Sequence, residues 1–97
     1  MLKIYEGMFL IRGELSDEKR DSVINSICEA IEKMKGEIVS KGFWAEKRRL
    51  AYPIKKEREA SYYLVNFKIS PDLISKLRQV YRLNENVLRF LILRQEG

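Results

Sequence analysis

Two stretches of this chain repeat their apolar residues every three or four positions. Each is bracketed by stretches that read as β-strands, and that alternation leaves few ways to fold. In the first, Val23, Ile24, Ile27, Cys28, Ile31 and Met34 form one stripe of an amphipathic helix. Ser16 offers its N-cap, Asp17 and Glu18 sit where the helix dipole favours negative charge, and Gly36 after Lys33 and Lys35 signals the C-terminus. In the second, Ser70-Pro71-Asp72 supplies an N-cap serine and a proline at the first position, and Leu73, Ile74, Leu77 and Tyr81 mark the apolar side.

Around these lie the strands. Residues 3–11 form the first, and Arg12-Gly13-Glu14 is a turn. Residues 37–54 read as a long strand, with irregularity expected near Gly42 or Ala45, and Pro53, which lacks an amide donor, places it at a sheet edge. Lys55 to Ala60 reads as a polar turn, residues 62–69 as a half-buried strand, and residues 87–94 as the last. The order strand, helix, strand, strand, helix, strand predicts a single domain over residues 1–97 of the α+β class. It is the ferredoxin-like split βαβ arrangement (βαββαβ), a four-stranded antiparallel sheet with two helices on one face. The usual spatial order for this topology is fourth, first, third, second.

Composition narrows the chemistry. There is no histidine and one cysteine, Cys28, in 97 residues, so the common zinc-ligand sets and the Ser-His and Cys-His nucleophile systems are excluded, and no spacing converges carboxylates, lysine or tyrosine on a site. Cys28 lies on the apolar stripe and reads as core filler. No apolar run is long enough for a membrane span, and Glu6 interrupts what would be a signal peptide's core, so the chain is expected in the cytoplasm.

The net charge is +5, and all of the surplus lies in residues 41–58. Seven basic residues stand there (Lys41, Lys47, Arg48, Arg49, Lys55, Lys56 and Arg58) against Glu46 and Glu57, while the rest of the chain is balanced. A local field of this kind attracts phosphate. The plain alternative is a solvated hairpin kept soluble by its charges.

Alternation also assigns the sheet faces. With Tyr63, Val65, Phe67 and Ile69 under the helices, Tyr62, Leu64, Asn66 and Lys68 face away. The same rule turns Met8 and Leu10 outward from the first strand, and Arg89, Leu91 and Leu93 outward from the last. The open face then carries Met8, Leu10, Leu64, Leu91 and Leu93, rimmed by Lys68 and Arg89, a surface suited to a protein partner beside nucleic acid. A one-residue slip in register, or self-pairing of the sheet, is the alternative.

These features coincide with a family pattern. Lys47-Arg48-Arg49-Leu50-Ala51-Tyr52-Pro53-Ile54-Lys55-Lys56 resembles the signature stretch of bacterial small-subunit ribosomal protein six. Tyr5-Glu6, Tyr63-Leu64-Val65-Asn66-Phe67 and Tyr81-Arg82-Leu83-Asn84-Glu85-Asn86-Val87-Leu88-Arg89-Phe90 follow in matching order. One departure precedes the signature. The family often has Trp-Gly and then a basic residue, whereas here Trp44 is followed by Ala45-Glu46-Lys47, one added residue that suggests a bulge.

The resemblance implies a non-enzymatic protein of the ribosome with no cofactor, metal, membrane or small-molecule substrate. It implies pairing with small-subunit ribosomal protein eighteen, binding to the central domain of the small-subunit ribosomal RNA on the platform, and a role in subunit assembly and translation. Resemblance and charge together nominate Lys3, Arg48, Arg49, Lys55, Lys56, Arg58, Arg89 and Arg94 as RNA contacts that position phosphates with little base readout. Met8, Leu10, Leu64, Leu91 and Leu93 are nominated as the partner surface. Trp44 is a further partner contact, unless it pins the bent edge strand instead. Tyr52, Tyr62 and Tyr63 are candidate stacking platforms, but Tyr63 is expected in the core, and the glycine- and aromatic-rich third-strand motif of RNA-recognition modules is missing, which argues against base stacking on the sheet. Two other functions fit the fold: a free-standing single-stranded RNA binder, and an acylphosphatase-like enzyme. The enzyme would need a phosphate-cradling first loop, and Ile11-Arg12-Gly13-Glu14-Leu15-Ser16 carries an acid that repels phosphate.

Overall fold

A computed structural model describes residues 1–95. Its elements are β1 (Lys3–Arg12), α1 (Asp17–Lys33), β2 (Glu37–Ile54), β3 (Glu57–Ile69), a single 3-10 turn (Pro71–Leu73), α2 (Ile74–Arg82) and β4 (Val87–Arg94). The strands form one antiparallel sheet in the order β2-β3-β1-β4, as the split βαβ reading requires. Strict alternation along β1 and β3 sends Tyr5, Phe9, Ile11, Tyr63, Val65, Phe67 and Ile69 under the helices. The apolar stripe of α1 closes over them with Val23, Ile24, Ile27, Cys28 and Ile31, and α2 adds Leu77 and Tyr81. Phe9, buried completely, meets the Tyr81 ring edge-on at 4.8 Å. Burial of a side chain such as Phe9 contributes about 1.5–3 kcal/mol, so this layer dominates the stability of the fold.

The helix ends follow from local chemistry, with two changes from the sequence reading. Ser16 Oγ accepts from the Lys19 amide at 3.3 Å, as an N-cap should. At the other end, the Gly36 amide donates to the Ile31 carbonyl and the Lys35 amide to that of Glu32, both at 2.9 Å, the paired closure of a Schellman cap. The left-handed residue there is Lys35 (φ 62°), not Gly36. Glycine is needed at 36 for close approach instead: a Cβ would lie 2.7 Å from Ile31 Cγ2 and 2.9 Å from the Lys68 carbonyl oxygen. Ser70 likewise does not cap a helix with its side chain; its hydroxyl donates to the Asp72 carboxylate, and the 3-10 turn precedes α2.

A third correction concerns the β2–β3 hairpin. The expected six-residue turn from Lys55 to Ala60 is only Lys55-Lys56, and β3 already begins at Glu57. Both lysines hold positive φ (49° and 68°), the sign pattern of a type I′ hairpin turn, which normally selects asparagine and glycine.

Candidate nucleic-acid interface

The basic segment is carried by β2, and β2 is an edge strand that repeatedly breaks step with β3. Its register shifts between Ile38 and Ser40, between Phe43 and Ala45, between Ala45 and Arg48, and between Arg49 and Ile54. The second and third shifts bracket the added residue noted after Trp44. There Lys47 takes positive φ (47°), and its amide donates to the Oγ of buried Ser61 at 3.0 Å, so the bulge leaves no orphan donor. Lys47, Arg48 and Arg49 on this bulged stretch, Lys55 and Lys56 at the turn, and Arg58 at the start of β3 are all exposed.

The two acids of the segment are engaged elsewhere. Glu46 accepts from Arg20 of α1 at 2.7 Å, and Glu57 accepts from Arg12 of β1 at 2.9 Å. Arg20 also lies 4.9 Å over the Phe43 ring, while Arg12 Nε donates to the Glu85 carbonyl. Both carboxylates are thus matched by arginines from outside residues 41–58. Among the described residues, no ion pair takes up any of the seven cations of the segment. One further acid stands close, exposed Glu59 of β3 opposite Arg49, and it closes no ion pair, so the cations of the ribbon outnumber the acids left to oppose them.

The hairpin does not stay at its own edge. Leu50, Ala51, Tyr52, Pro53 and Ile54 line a depression together with Leu10, Tyr62 and Arg89, and Lys55 shares a second cleft with Arg89 and Phe90 of β4. β2 and β4 are opposite edges of the sheet, so the tip of the hairpin leans across its end.

The predicted contacts divide accordingly. Arg48 and Arg49 pair with Ala60 and Glu59 and alternate in direction, and Arg89 pairs with Leu10 on the open face. Lys55 and Arg89 come together. Lys3 and Arg94 do not join them: they pair with Ile69 and Tyr5 on the helix side, at the far end of the sheet. The nine-residue offset from Lys3 to Arg12 spans about 30 Å along the strand, too far for one phosphate to bridge. Four arginines missed by the sequence reading matter here: Arg12 and Arg20, which hold the acids, and Arg78 and Arg82, which line the cleft shared by Lys55 and Arg89. The i,i+4 spacing of Arg78 and Arg82 on the predicted second helix was the available signal.

The open face has the expected register. Leu91, Met8 and Leu64 form one row, and Arg89, Leu10 and Tyr62 the next. Ile4 and Tyr62 extend the apolar surface, but Glu6 and Asn66 interrupt it beside Leu93, with Asn66 donating to Ser40 at 3.0 Å. Trp44 stands at the rim, two-thirds exposed, its ring edge-on to Tyr62 at 5.5 Å. Tyr52 is exposed, whereas Tyr63 and Cys28 are in the core, where burial pushes the Cys28 thiol and the Tyr63 hydroxyl upward in pKa. Among the described residues no helix is long and apolar enough to cross a membrane.

Comparison with known proteins agrees with this architecture. The family model described as Ribosomal protein S6 matches residues 4–94. The small ribosomal subunit protein bS6 of Caldanaerobacter subterraneus subsp. tengcongensis is 40% identical over 95 residues, 98% of this chain and 99% of the relative. Its counterpart in Heliobacterium modesticaldum is 35% identical over 95 residues, with 98% of each chain covered. The crystal structure of 30S ribosomal protein S6 from Thermotoga maritima superposes with a TM-score of 0.88 at 28% identity, covering 98% of this chain and 89% of that one. The chain belongs to the ribosomal protein S6 family, a family of small-subunit ribosomal proteins and not of enzymes.

Proposed function

We propose that this chain binds the central domain of the small-subunit ribosomal RNA together with small-subunit ribosomal protein eighteen, and so supports subunit assembly and translation in the cytoplasm. The observation that carries the RNA half is the basic ribbon: seven cations in residues 41–58, with the segment's own two carboxylates matched by Arg12 and Arg20. Phosphates would meet one free acid there, Glu59 opposite Arg49, against seven cations, and each contact releases counterions. The partner half rests on Met8, Leu10, Leu64, Leu91 and Leu93, aligned in adjacent rows, with Trp44 at the rim.

The test is co-purification with small subunits followed by a high-salt wash. A double change, Arg48→Glu with Arg49→Glu, should weaken incorporation while the fold stays intact, because both side chains are exposed. Normal incorporation would remove the hairpin from the docking surface. Tight binding to unstructured RNA without the partner protein would instead favour a free-standing RNA binder.

A further inference from the structure

Sequence reasoning assigned Lys55 and Arg89 to RNA as separate surface charges. The structure places them in one cleft with Arg78 and Arg82. The cleft is about 310 Å³, lies against α2 and β4, and has Leu88 and Phe90 in its wall. We propose that this four-cation cleft is a seat for a single backbone phosphate of RNA, a site on which the proposed function depends for its register. The inference rests on the RNA-binding reading above.

Three observations support it. First, the lining draws four basic residues from three elements, the hairpin tip, α2 and β4, with Arg89 reaching it from the edge of the open face. No acidic residue lines the cleft, and among the described residues none of the four takes part in an ion pair. Second, Arg78 is half-buried and poorly satisfied. Its Nη2 donates to the Ile92 carbonyl at 3.3 Å, while its buried Nε has no partner. A guanidinium held by one long bond keeps donors in reserve, and those on the cleft side can turn to a phosphate oxygen. Third, the volume is at the low end of ligand sites, which run about 300–1,000 Å³, so a phosphate with its sugar suits it better than an engulfed base.

The competing explanation is that Arg78 and Arg82 merely complement the negative end of α2. That end carries only about half an elementary charge, against four cations. Its carbonyls are also already occupied: the Leu83 amide donates to Gln79 and Val80, and the Asn84 amide to Tyr81. The dipole accounts for one arginine, not for the convergence.

The full-length chain with its partner protein and a central-domain ribosomal RNA fragment tests this across a range of sodium chloride concentrations. Arg78→Gln with Arg82→Gln should weaken binding about tenfold or more and flatten the slope of log affinity against log salt by about one unit. Lys33→Gln with Lys35→Gln, which removes two charges from the end of α1, should do neither. Losses for Arg78→Gln and Arg89→Gln should combine sub-additively, since both act on one phosphate. In the unmutated chain, the Arg78 Nε–Hε resonance should shift when the RNA is added, a readout independent of whether any variant folds. A wild-type chain that binds while the arginine pair is silent, or is matched by the lysine control, or while that resonance stays fixed, overturns the cleft and leaves the proposed function standing. A wild-type chain that ignores the RNA overturns the proposed function, and the cleft's assignment falls with it.

Discussion

The hydroxyl of Tyr81 on α2 donates to the backbone carbonyl of Ile27 on α1 at 2.8 Å, in the interior and across 54 residues of sequence. It is a direct polar link between the two helices, and the ring beneath it packs on Phe9 and Phe90. Tyr81→Phe keeps the packing and loses the bond, and should cost about 1 kcal/mol in a denaturant titration. Tyr81→Ala also opens a cavity and should cost about 3–5 kcal/mol.

Burial holds the Tyr81 hydroxyl neutral well above the usual tyrosine value of 10.0. The unfolded chain ionises this group near that usual value while the folded chain does not. The stability linked to it is therefore complete below about pH 10 and is lost as pH rises beyond, by up to about 1.4 kcal/mol per pH unit. Wild type should lose stability relative to Tyr81→Phe above about pH 10 in parallel unfolding titrations. A constant difference between the two across that range would contradict the buried, neutral hydroxyl.

The hairpin turn holds two lysines at positive φ, which L side chains resist by about 1–2 kcal/mol each. Lys55→Asn with Lys56→Gly should raise stability by about 1–2 kcal/mol, the glycine returning part of the gain through its larger unfolded-state entropy. The melting temperature should rise by several degrees while RNA affinity falls. A variant that binds as well as wild type would show that the lysines at the turn are incidental to function.

Arg20 joins α1 to the bulged stretch of β2 through Glu46 and the Phe43 face. Arg20→Ala should cost about 1–2 kcal/mol from the combined ion pair and cation–π contact. Much of that cost should persist at high salt, because the ring contact is less screened than the exposed carboxylate. Arg20→Lys should recover only part, since a lysine lacks the planar group that lies over Phe43.

Gly13 sits where the loop after β1 touches β3, its amide donating to the Glu59 carbonyl at 3.1 Å. A Cβ there would meet Glu59 Cβ at 2.7 Å and its backbone carbon at 3.0 Å, so the obstacle includes main chain. Gly13→Ala should destabilise by about 1–3 kcal/mol, read from the shift in denaturant midpoint.

Where burial is one-sided, periodicity was enough to read this molecule. The stripe Val23, Ile24, Ile27, Cys28 and Ile31, and the alternation from Tyr63 to Ile69, each have one buried face, and both landed where expected. Pro53 correctly marked an edge strand. The turn at Lys55-Lys56 was misread because its residues lack turn chemistry: two lysines in left-handed backbone carry no sequence signature. Ser70 was misread because the chain after it opens as a 3-10 turn, in which the Leu73 amide donates to the Ser70 backbone carbonyl and the hydroxyl turns to Asp72. The eight nominated RNA contacts were chosen by resemblance and charge, neither of which reports strand register, and the sheet sets Lys3 and Arg94 on the helix side, at the end away from the hairpin tip. The spacing of Arg78 and Arg82 put them on one helix face, but only the lean of the hairpin across the sheet brings Lys55 into the same cleft.

The uneven outline of β2 has another consequence. A long strand with one free side is an invitation for other chains to stack against it and grow into fibrils, the more so when the sheet it belongs to shows leucines to water. Four slips of register and a proline prevent any straight run of hydrogen-bonding groups along that border. On the opposite border Arg78 occupies the carbonyl of Ile92. A sheet that leaves leucines on its open face is thus guarded at both borders against growing by strand addition.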